Sequence, residues 1–581
     1  MSSNSFYLGI SAYYHDASVA LLDSEGNLVD FKKEEWLSRI KGDKTFPRLA
    51  LQELINSFNL SEENIKSITF YEKPVRSWIS VLKHSVKNNP ISNDLTRNYF
   101  KNAWNSSMRF QMDISKYIKI KKIPLLYSDH HLSHTLSALH YYNNFPCVSV
   151  VVDGYGDKYC TSIHHVKSDK EIINLWNSEY PNSLGLFYSA ITDFLGFSIN
   201  EGEYKVMGLA SFGQPKFFEK LKKTIKFEDN KLITDTKYYD YVRRIDRSFS
   251  DLLTDLFEIE PRLPDVSLEI GEKKFQVYAD IAASAQKVLE ELLFSIFQHA
   301  YNLTKERKFL FSGGVAMNSA AVRKCSKLKF IDQLNIPPSP GDSGAAIGAS
   351  YFGFLNERKK KFSNFVSKNN IKNNLFPGKF KPKDNFLEFG FDKIADANTS
   401  LNETSKLIAK NEIIATCYGN IETGPRALGH RSLICNAHNS ELVKKLSTEI
   451  KKRSLFIPTA PAILKEYAEK YFYLENSLMN CYMYMTATAT PKAEVLKNIR
   501  GVVHIDNTSR IQICNETHLL GKILSNLKKF DIYLIANTSF NISSDPMVYD
   551  EIDAVVALHK MKIKYLLTEN GLFRKKFEIK V

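Results

Sequence analysis

Two stretches far apart in the chain share one pattern. "FYLGISAYYHDASVALLDSEGNLV" begins at residue 6 and "CVSVVVDGYGDKYCTSIHHVKSDKEI" begins at residue 147. Each opens with an apolar run, turns at small or acidic residues, and continues into a second β-rich run that ends in a polar turn. A strand–turn–strand unit used twice predicts a two-lobed α/β domain that grips phosphates between its halves. Two unrelated hairpins would give the same pattern. Two later segments favour the first reading. "KFLFSGGVAMNSAAVRK" (308–324) reads as a strand, a Gly–Gly turn and a helix start, and "PPSPGDSGAAIGAS" (337–350) repeats the device. Gly313 and Gly314 let the backbone approach a ligand, and a helix N-terminus offers free N–H groups. Two such turns in close succession predict a nucleotide cleft.

A chain of 581 residues is too long for one core, so two or more domains are expected. With 44% hydrophobic and 24% charged residues it reads as a soluble globular protein. No apolar run is long enough for a transmembrane helix, and "MSSNSFYLGISAYY" has neither the basic start nor the cleavage site of a secretory signal. Seven scattered cysteines without a CxxC fit reduced thiols in a cytoplasm. The net charge of +14 attracts phosphates, on nucleic acid or on small anions. The lysines are spread out, however, and the densest run, "NERKKKF" (356–362), opens a Lys/Asn-rich stretch that reads as a solvated linker. The expected organisation is a first domain over 1–355, a linker over 356–385 and a second domain over 386–581.

"SDHHLSHTLSALH" (128–140) carries three histidines on a helical pattern set by Leu132, Leu136 and Leu139. His130 and His134 are i and i+4, and His131 and His134 are i and i+3. Spacing leaves both pairings open, and also leaves open a helix start without a metal. Asp153 in "VVVDGYGD" and Asp342 in "PGDSG" could add two carboxylates. Two imidazoles with two carboxylates suit Fe²⁺, Mn²⁺ or Zn²⁺ over Ca²⁺.

Motifs occur in a fixed order: "YHDASVALL", "SDHHLSHTLSA", "VVDGYGD", "NSLGLFYSAITDFLGF", "EGEYKVMGLASFG", "SGGVAMNS", "PGDSGAAIG", "GPRALGHRSL" and "NTSFN". Together they resemble the O-carbamoyltransferases of antibiotic and nodulation-factor biosynthesis over nearly the whole chain. The resemblance implies a duplicated actin-like (ASKHA) α/β N-terminal domain, similar to the tRNA threonylcarbamoyl-transfer protein. It implies a C-terminal α+β domain that is YrdC-like and forms carbamoyl-adenylate from carbamoyl phosphate and ATP, with Mg²⁺ accompanying the ATP. The first domain would then carbamoylate a hydroxyl of a small-molecule acceptor from a biosynthetic pathway.

The resemblance also implies residue roles. The iron ligands fall on His130, His134, Asp153 and Asp342. Asn318, Lys205, Gly208, Gly313 and Gly314 fall in segments that line the nucleotide cleft. His15 is a candidate base or orienting group for the acceptor hydroxyl, since an imidazole titrates near working pH. Carbamoyl phosphate and a triphosphate call for cations, with arginine favoured for its fork. Arg426, Arg431, Lys451, Arg453 and Arg510 supply them, Lys41 reaches toward the same anions, and Ser539 and Asn537 of "NTSFN" complete the set. No membrane partner is expected, nucleic acid is not favoured, and a monomer or homodimer would suffice.

The sequence departs from the family pattern where carbamoyl phosphate should sit. Ser454 replaces an acid, Ile457 an arginine and Thr459 a phenylalanine, Ser543 and Ser544 replace an Arg–Gly pair, and Gly42 replaces a histidine. Each missing arginine would forfeit about 1.5–3 kcal/mol of charged hydrogen bonding. Two alternatives follow: adenylation of a different carboxyl donor with acyl transfer or amide formation, or a nucleotide-binding scaffold with a decayed C-terminal domain. A role on tRNA ranks below these, because the tRNA enzymes that each half resembles normally occur as separate chains. The acceptor itself would be read by loops such as 75–120 and 215–275, which carry no motif.

Overall fold

The computed structural model describes residues 5–87, 109–361, 374–379, 386 and 388–576, except 245, 265, 455 and 543. They fall into two compact units. The first comprises Met1–Glu34 with Gly42–Asn374, and the second Glu35–Lys41 with Leu375–Val581.

In the first unit, β1 (Phe6–Ser11), β2 (Ser18–Leu22), β3 (Leu28–Lys33), β4 (Ile65–Phe70) and β5 (Leu125–Tyr127) form a sheet of order β3-β2-β1-β4-β5. The strands β6 (Cys147–Gly156), β7 (Tyr159–Val166) and β8 (Ile172–Glu179) start a second sheet. After a ribbon of β9 (Ile225–Glu228) and β10 (Lys231–Thr234), β11 (Lys308–Ser312) and β12 (Gln333–Asn335) complete it, in the order β12-β11-β6-β7-β8. Strand senses match as well. The first three strands of each sheet are antiparallel neighbours, and the last two add in parallel. The two segments with the shared sequence pattern are thus the β1–β2 and β6–β7 hairpins of topologically equivalent sheets.

The helices that position the site are α1 (His130–Tyr141), α2 (Leu184–Phe194), α3 (Glu203–Ala210), α4 (Lys273–Thr304), α5 (Ser319–Cys325) and α6 (Asp342–Lys361). The helix α1 follows β5, and α6 follows β12, so these two are also equivalent. The small residues of "GAAIGAS" let α6 sit between β1 and α1. A side chain at Gly348 would collide with Ser133 O, and one at Gly9 with Ala346 O. Every residue of α1 except Leu132 is buried.

The second unit is built on an eight-stranded sheet. Its strands are β13 (Phe391–Asp396), β14 (Ile414–Cys417), β15 (Arg431–Asn436), β16 (Ala460–Leu464), β19 (Gln512–Cys514), β20 (Leu534–Ser539), β21 (Tyr565–Thr568) and β22 (Gly571–Lys575). They run in the order β13-β22-β21-β14-β15-β20-β16-β19, with β17 (Phe472–Tyr473) and β18 (Thr490–Pro491) as a separate ribbon. The helices α7 (Ser400–Ala409) and α8 (Leu519–Leu527) cover it, and Ile408, Ile414, Ile434, Leu464, Ile523, Leu524, Ile535 and Leu567 make its core. The last helix is α9 (Glu551–Met561).

The domain limits differ from those expected in two respects. The boundary at 355 falls inside α6, whose buried small-residue turns carry the helix on to Lys361. Residues 362–373 and 380–385 of the expected linker lie outside the described residues, as do 88–108 of the 75–120 loop. In addition, Glu35–Lys41 belongs to the second unit. Trp36, 1% exposed, stacks on Tyr549 at 6.2 Å and 13°. Arg39 donates to Met547 O at 2.8 Å and Pro546 O at 3.1 Å, and pairs with Asp553 at 3.0 Å. The buried indole and the Arg39 guanidinium contacts anchor this short segment within the second unit. Among the described residues, no helix is long and apolar enough to cross a membrane.

Candidate functional site

Equivalent ends of the two halves of the first unit converge. The first two turns of α1 bring His130 and His134, the first residue of α6 is Asp342, and the end of β6 brings Asp153. The His130 and His134 Nε2 atoms are 3.1 Å apart. His134 Nε2 lies 3.0 Å from Asp153 Oδ2 and 3.3 Å from Asp342 Oδ1, and His130 Nε2 lies 3.6 Å from each. Donors around a divalent ion at about 2.0–2.1 Å are separated by about 3.0–3.4 Å, so the cluster has metal-ligand spacing. All four residues are buried, and their ligand atoms lie within 4.8 Å of one another.

The electrostatics agree. Burial pushes Asp153 up, but the two imidazoles outweigh it and hold the carboxyl well below its usual range. Burial pushes His134 down, but Asp153 and Asp342 outweigh it and hold the ring up to about 9. The pair of carboxylates thus calls for positive charge at the imidazoles, which a metal ion supplies as well as a proton does. Both ligand-histidine Nδ1 atoms have no hydrogen-bond partner among the described residues. The donor set therefore fits a divalent transition metal.

His131 does not join the cluster. Its Nδ1 meets Ser162 Oγ on β7 at 2.6 Å, and burial together with His130 pushes its pKa well down. The geometry thus selects the i, i+4 pair. Two neighbours of the cluster were not singled out from the sequence. Asp157 accepts from the His130 N–H at 3.0 Å and from the Lys73 N–H at 2.7 Å, which fixes the start of α1. Gly156 has the His130 ring where a Cβ would be. The glycine and acid that follow Asp153 in "VVDGYGD" were the available signal.

His15 stands beside the cluster. Its Nε2 is 3.5 Å from Asp342 Oδ2, and its Nδ1 is 3.0 Å from Asp16 Oδ2. Burial lowers its pKa, but Asp342 and Asp16 outweigh that and hold it up to about 10. A cation between two carboxylates suits an orienting role better than that of a free base. Gly313, at φ +88, packs where a Cβ would strike Val152 O, and Gly314 faces Asp153 Oδ1, with 3.1 Å to its Cβ position. Lys205 and Gly208 lie on α3; Gly208 is buried, and Lys205 Nζ sits over the Phe197 ring at 5.5 Å. Asn318 caps α5 by accepting from the Ala321 N–H at 3.0 Å, and exchanges hydrogen bonds with Gln286 at 2.9 and 3.1 Å.

In the second unit, the end of β20 gathers cations. Lys451, fully buried, donates to Ser539 O, to Ser539 Oγ at 3.1 Å, to Asn541 O at 2.6 Å and to Asn541 Oδ1 at 2.7 Å. Burial, Arg453 and Lys41 push its pKa well down, while four oxygens around Nζ favour the ammonium form. Half-buried Arg453 donates to Thr538 Oγ1 at 2.8 Å and Ser539 Oγ at 3.3 Å. Lys41 thus belongs to the second unit rather than to the first, where its sequence position put it. Arg426 and Arg510 are half-buried. Asn537, on the same strand, donates to Ala427 O at 3.0 Å and Gln512 Oε1 at 2.8 Å. Ser543 lies outside the described residues, and Ile457 is half-buried.

Arg431 requires a correction. It is 0% exposed, and its five N–H groups go to carbonyls: Tyr549 O twice (3.0 and 2.9 Å), Tyr418 O (3.2 Å), His430 O (3.1 Å) and Gly419 O (2.9 Å). It holds loops together and has no donor to offer a nucleotide. Beside it Glu422, buried and unremarked in the sequence, accepts from the N–H groups of Leu428 (2.8 Å), His430 (2.8 Å) and Arg431 (3.1 Å). This carboxylate shapes the turn of "GPRALGHRSL".

Residues 7–351 match the family model described as carbamoyltransferase N-terminus, and residues 405–575 the one described as carbamoyltransferase C-terminus. The chain is 28% identical over 610 residues to an uncharacterized protein of Synechocystis sp., covering 98% of this chain and 96% of that protein. It is 26% identical over 582 residues to nodulation protein NolNO of Sinorhizobium fredii, covering 97% and 80%. It is 28% identical over 580 residues to an uncharacterized protein of Methanocaldococcus jannaschii, covering 97% and 98%. With matched models spanning most of both units, the chain belongs to the carbamoyltransferase family.

Proposed function

We propose that the protein is an ATP-dependent, metal-dependent carbamoyltransferase with two chemical centres, adenylation in the second unit and transfer in the first. The observation that carries this reading is the convergence of His130, His134, Asp153 and Asp342 at metal-ligand spacing inside the carbamoyltransferase N-terminal match. Two topologically equivalent sheets support an actin-like duplicated fold for the first unit. The mixed sheet of the second is read as a YrdC-like adenylate-forming fold.

In the second unit, carbamoyl phosphate and water give carbamate and phosphate. A carbamate oxygen then attacks the α-phosphorus of ATP, and pyrophosphate leaves. Arg426, Arg453, Arg510 and Lys41 bind these anions, Mg²⁺ accompanies the ATP, and Lys451 holds the Ser539–Asn541 turn beneath them. In the first unit, the acceptor hydroxyl oxygen attacks the carbamoyl carbon, AMP leaves, and the hydroxyl proton is lost to solvent or to phosphate. His130, His134, Asp153 and Asp342 would hold a divalent ion such as Fe²⁺, which would supply Lewis acidity toward the adenylate. His15 orients the acceptor oxygen through the charge it shares with Asp342 and Asp16. The acceptor is a small hydroxyl-bearing molecule of a biosynthetic pathway, a reading that the nodulation relatives support. Seven buried cysteines, none in a disulfide among the described residues, agree with a reducing cytoplasm.

The test is intact-mass detection of a carbamoyl gain on acceptor candidates incubated with ATP and carbamoyl phosphate. Gain in the wild type and none in Asp153→Ala supports the reading. Pyrophosphate release driven by another carboxylic acid and not by carbamoyl phosphate would favour the altered-donor alternative that Ile457 suggests.

A further inference from the structure

A metal-ligating imidazole is ordinarily oriented by a hydrogen bond on its other ring nitrogen. Neither His130 nor His134 has one, because both Nδ1 atoms lack a partner among the described residues. The helix that carries them must do the aiming instead. The residue after each ligand is His131 or Thr135, and both enter one polar circuit.

Ser162 Oγ donates its only proton to Asn177 Oδ1 at 2.8 Å, so it accepts from His131 Nδ1 at 2.6 Å. Asn174 and Asn177 exchange amide hydrogen bonds, each 2.8 Å. Asn174 Nδ2 donates to His164 Nε2 at 3.3 Å, so His164 carries its proton on Nδ1 and donates to Thr135 Oγ1 at 2.9 Å. Thr135 Oγ1 in turn donates to Ser149 Oγ at 2.9 Å. The circuit leaves α1 at His131, crosses β7, reaches exposed Asn174 on the edge strand β8, and returns to α1 one turn later. Gripped at two points a turn apart, the helix cannot rotate about its axis. On a helix about 10–12 Å across, a rotation of about 10° would move a side-chain tip by roughly 1 Å, enough to spoil a metal site.

We infer that Ser162, His164, Asn174 and Asn177, acting through His131 and Thr135, are positioning residues that set the rotation of α1 and so aim the His130 and His134 Nε2 atoms at the metal. The inference rests on the metal reading given above. A circuit that merely satisfies buried polar atoms would leave metal affinity untouched.

The test titrates the metal-free full-length protein with Co²⁺ alone, followed by its visible absorption, and compares Ser162→Ala and Asn177→Ala with the wild type. One Co²⁺ per wild-type chain is expected. Affinity should fall about tenfold or more in Ser162→Ala, within the range for outer partners of metal ligands, and several-fold in Asn177→Ala. Unfolding temperatures of the metal-free proteins should stay close together. Two-bond ¹H–¹⁵N spectra should place the His131 proton on Nδ1 in the wild type and not in Ser162→Ala. Affinities of both variants within twofold of the wild type would overturn the inference and leave the metal reading standing. No Co²⁺ binding by the wild type would overturn both. Should Ser162→Ala fail to fold, Asn177→Ala decides, since it changes a half-buried side chain on an edge strand.

Discussion

The first unit and the second both gather charged groups in motif-rich segments, but they treat them oppositely. Around Asp153 and Asp342, two buried carboxylates and two imidazoles face one another with polar atoms left unpartnered. Around β20, the buried cations are saturated by the protein: Arg431 by five carbonyl contacts and Lys451 by four oxygens. Buried charge must be paired, either by the chain or by a ligand. In the proposed function the first cluster leaves that pairing to a metal. The second uses its deepest cations as internal braces, and in the proposed function the half-buried ones bind the anions. A motif arginine is therefore not a substrate arginine until its hydrogen bonds are counted.

Removing one ligand should break the first cluster most completely. Asp153→Ala is expected to weaken metal binding by more than a hundredfold, beyond the loss typical of an outer partner, as read by metal content after dialysis. Retained stoichiometric metal would deny Asp153 its role. Next, Arg431→Gln should cost about 3–5 kcal/mol of stability, as for other broken buried charge networks, as read by urea unfolding. A stable variant with weakened ATP binding would return Arg431 to the nucleotide set.

Acid should destabilise the second unit by a smaller amount. Burial pushes His430 down to about 3 and His518 down to about 4 in the second unit. The folded unit leaves these rings neutral, while the unfolded chain protonates them below about pH 6.5. Their contribution is therefore complete above that pH and is lost as pH falls toward 4, by about 2 kcal/mol each at pH 5. Unfolding midpoints at pH 7 and pH 5 check this, and replacing His518 with Gln should flatten the dependence. Smallest in stability is Arg453→Gln, expected to stay within about 0.5 kcal/mol as a partly exposed change while raising the carbamoyl phosphate KM about tenfold, the worth of one charged hydrogen bond.

The comparison also explains what the sequence made legible. His130, His134, Asp153 and Asp342 were readable because helical spacing and strand–turn boundaries are local properties. The paired hairpins at residues 6 and 147 were readable for the same reason. Glu35–Lys41 was not, since seven residues carry no periodicity and Trp36 finds Tyr549 only through the tertiary fold. Nor was the role of Arg431, because an arginine in a family turn looks the same whether it meets a phosphate or a carbonyl. Asn174 and Asn177 read as the solvent face of a strand, and only the folded sheet joins them to α1.

Pyrophosphate release from ATP, measured with and without carbamoyl phosphate in the wild type and in Asp153→Ala, tests the division of labour most directly. The account predicts strong stimulation by carbamoyl phosphate in both proteins, with carbamoylated acceptor formed only by the wild type. Absence of stimulation in the wild type, or its loss in Asp153→Ala to the level of Arg453→Gln or below, would contradict it.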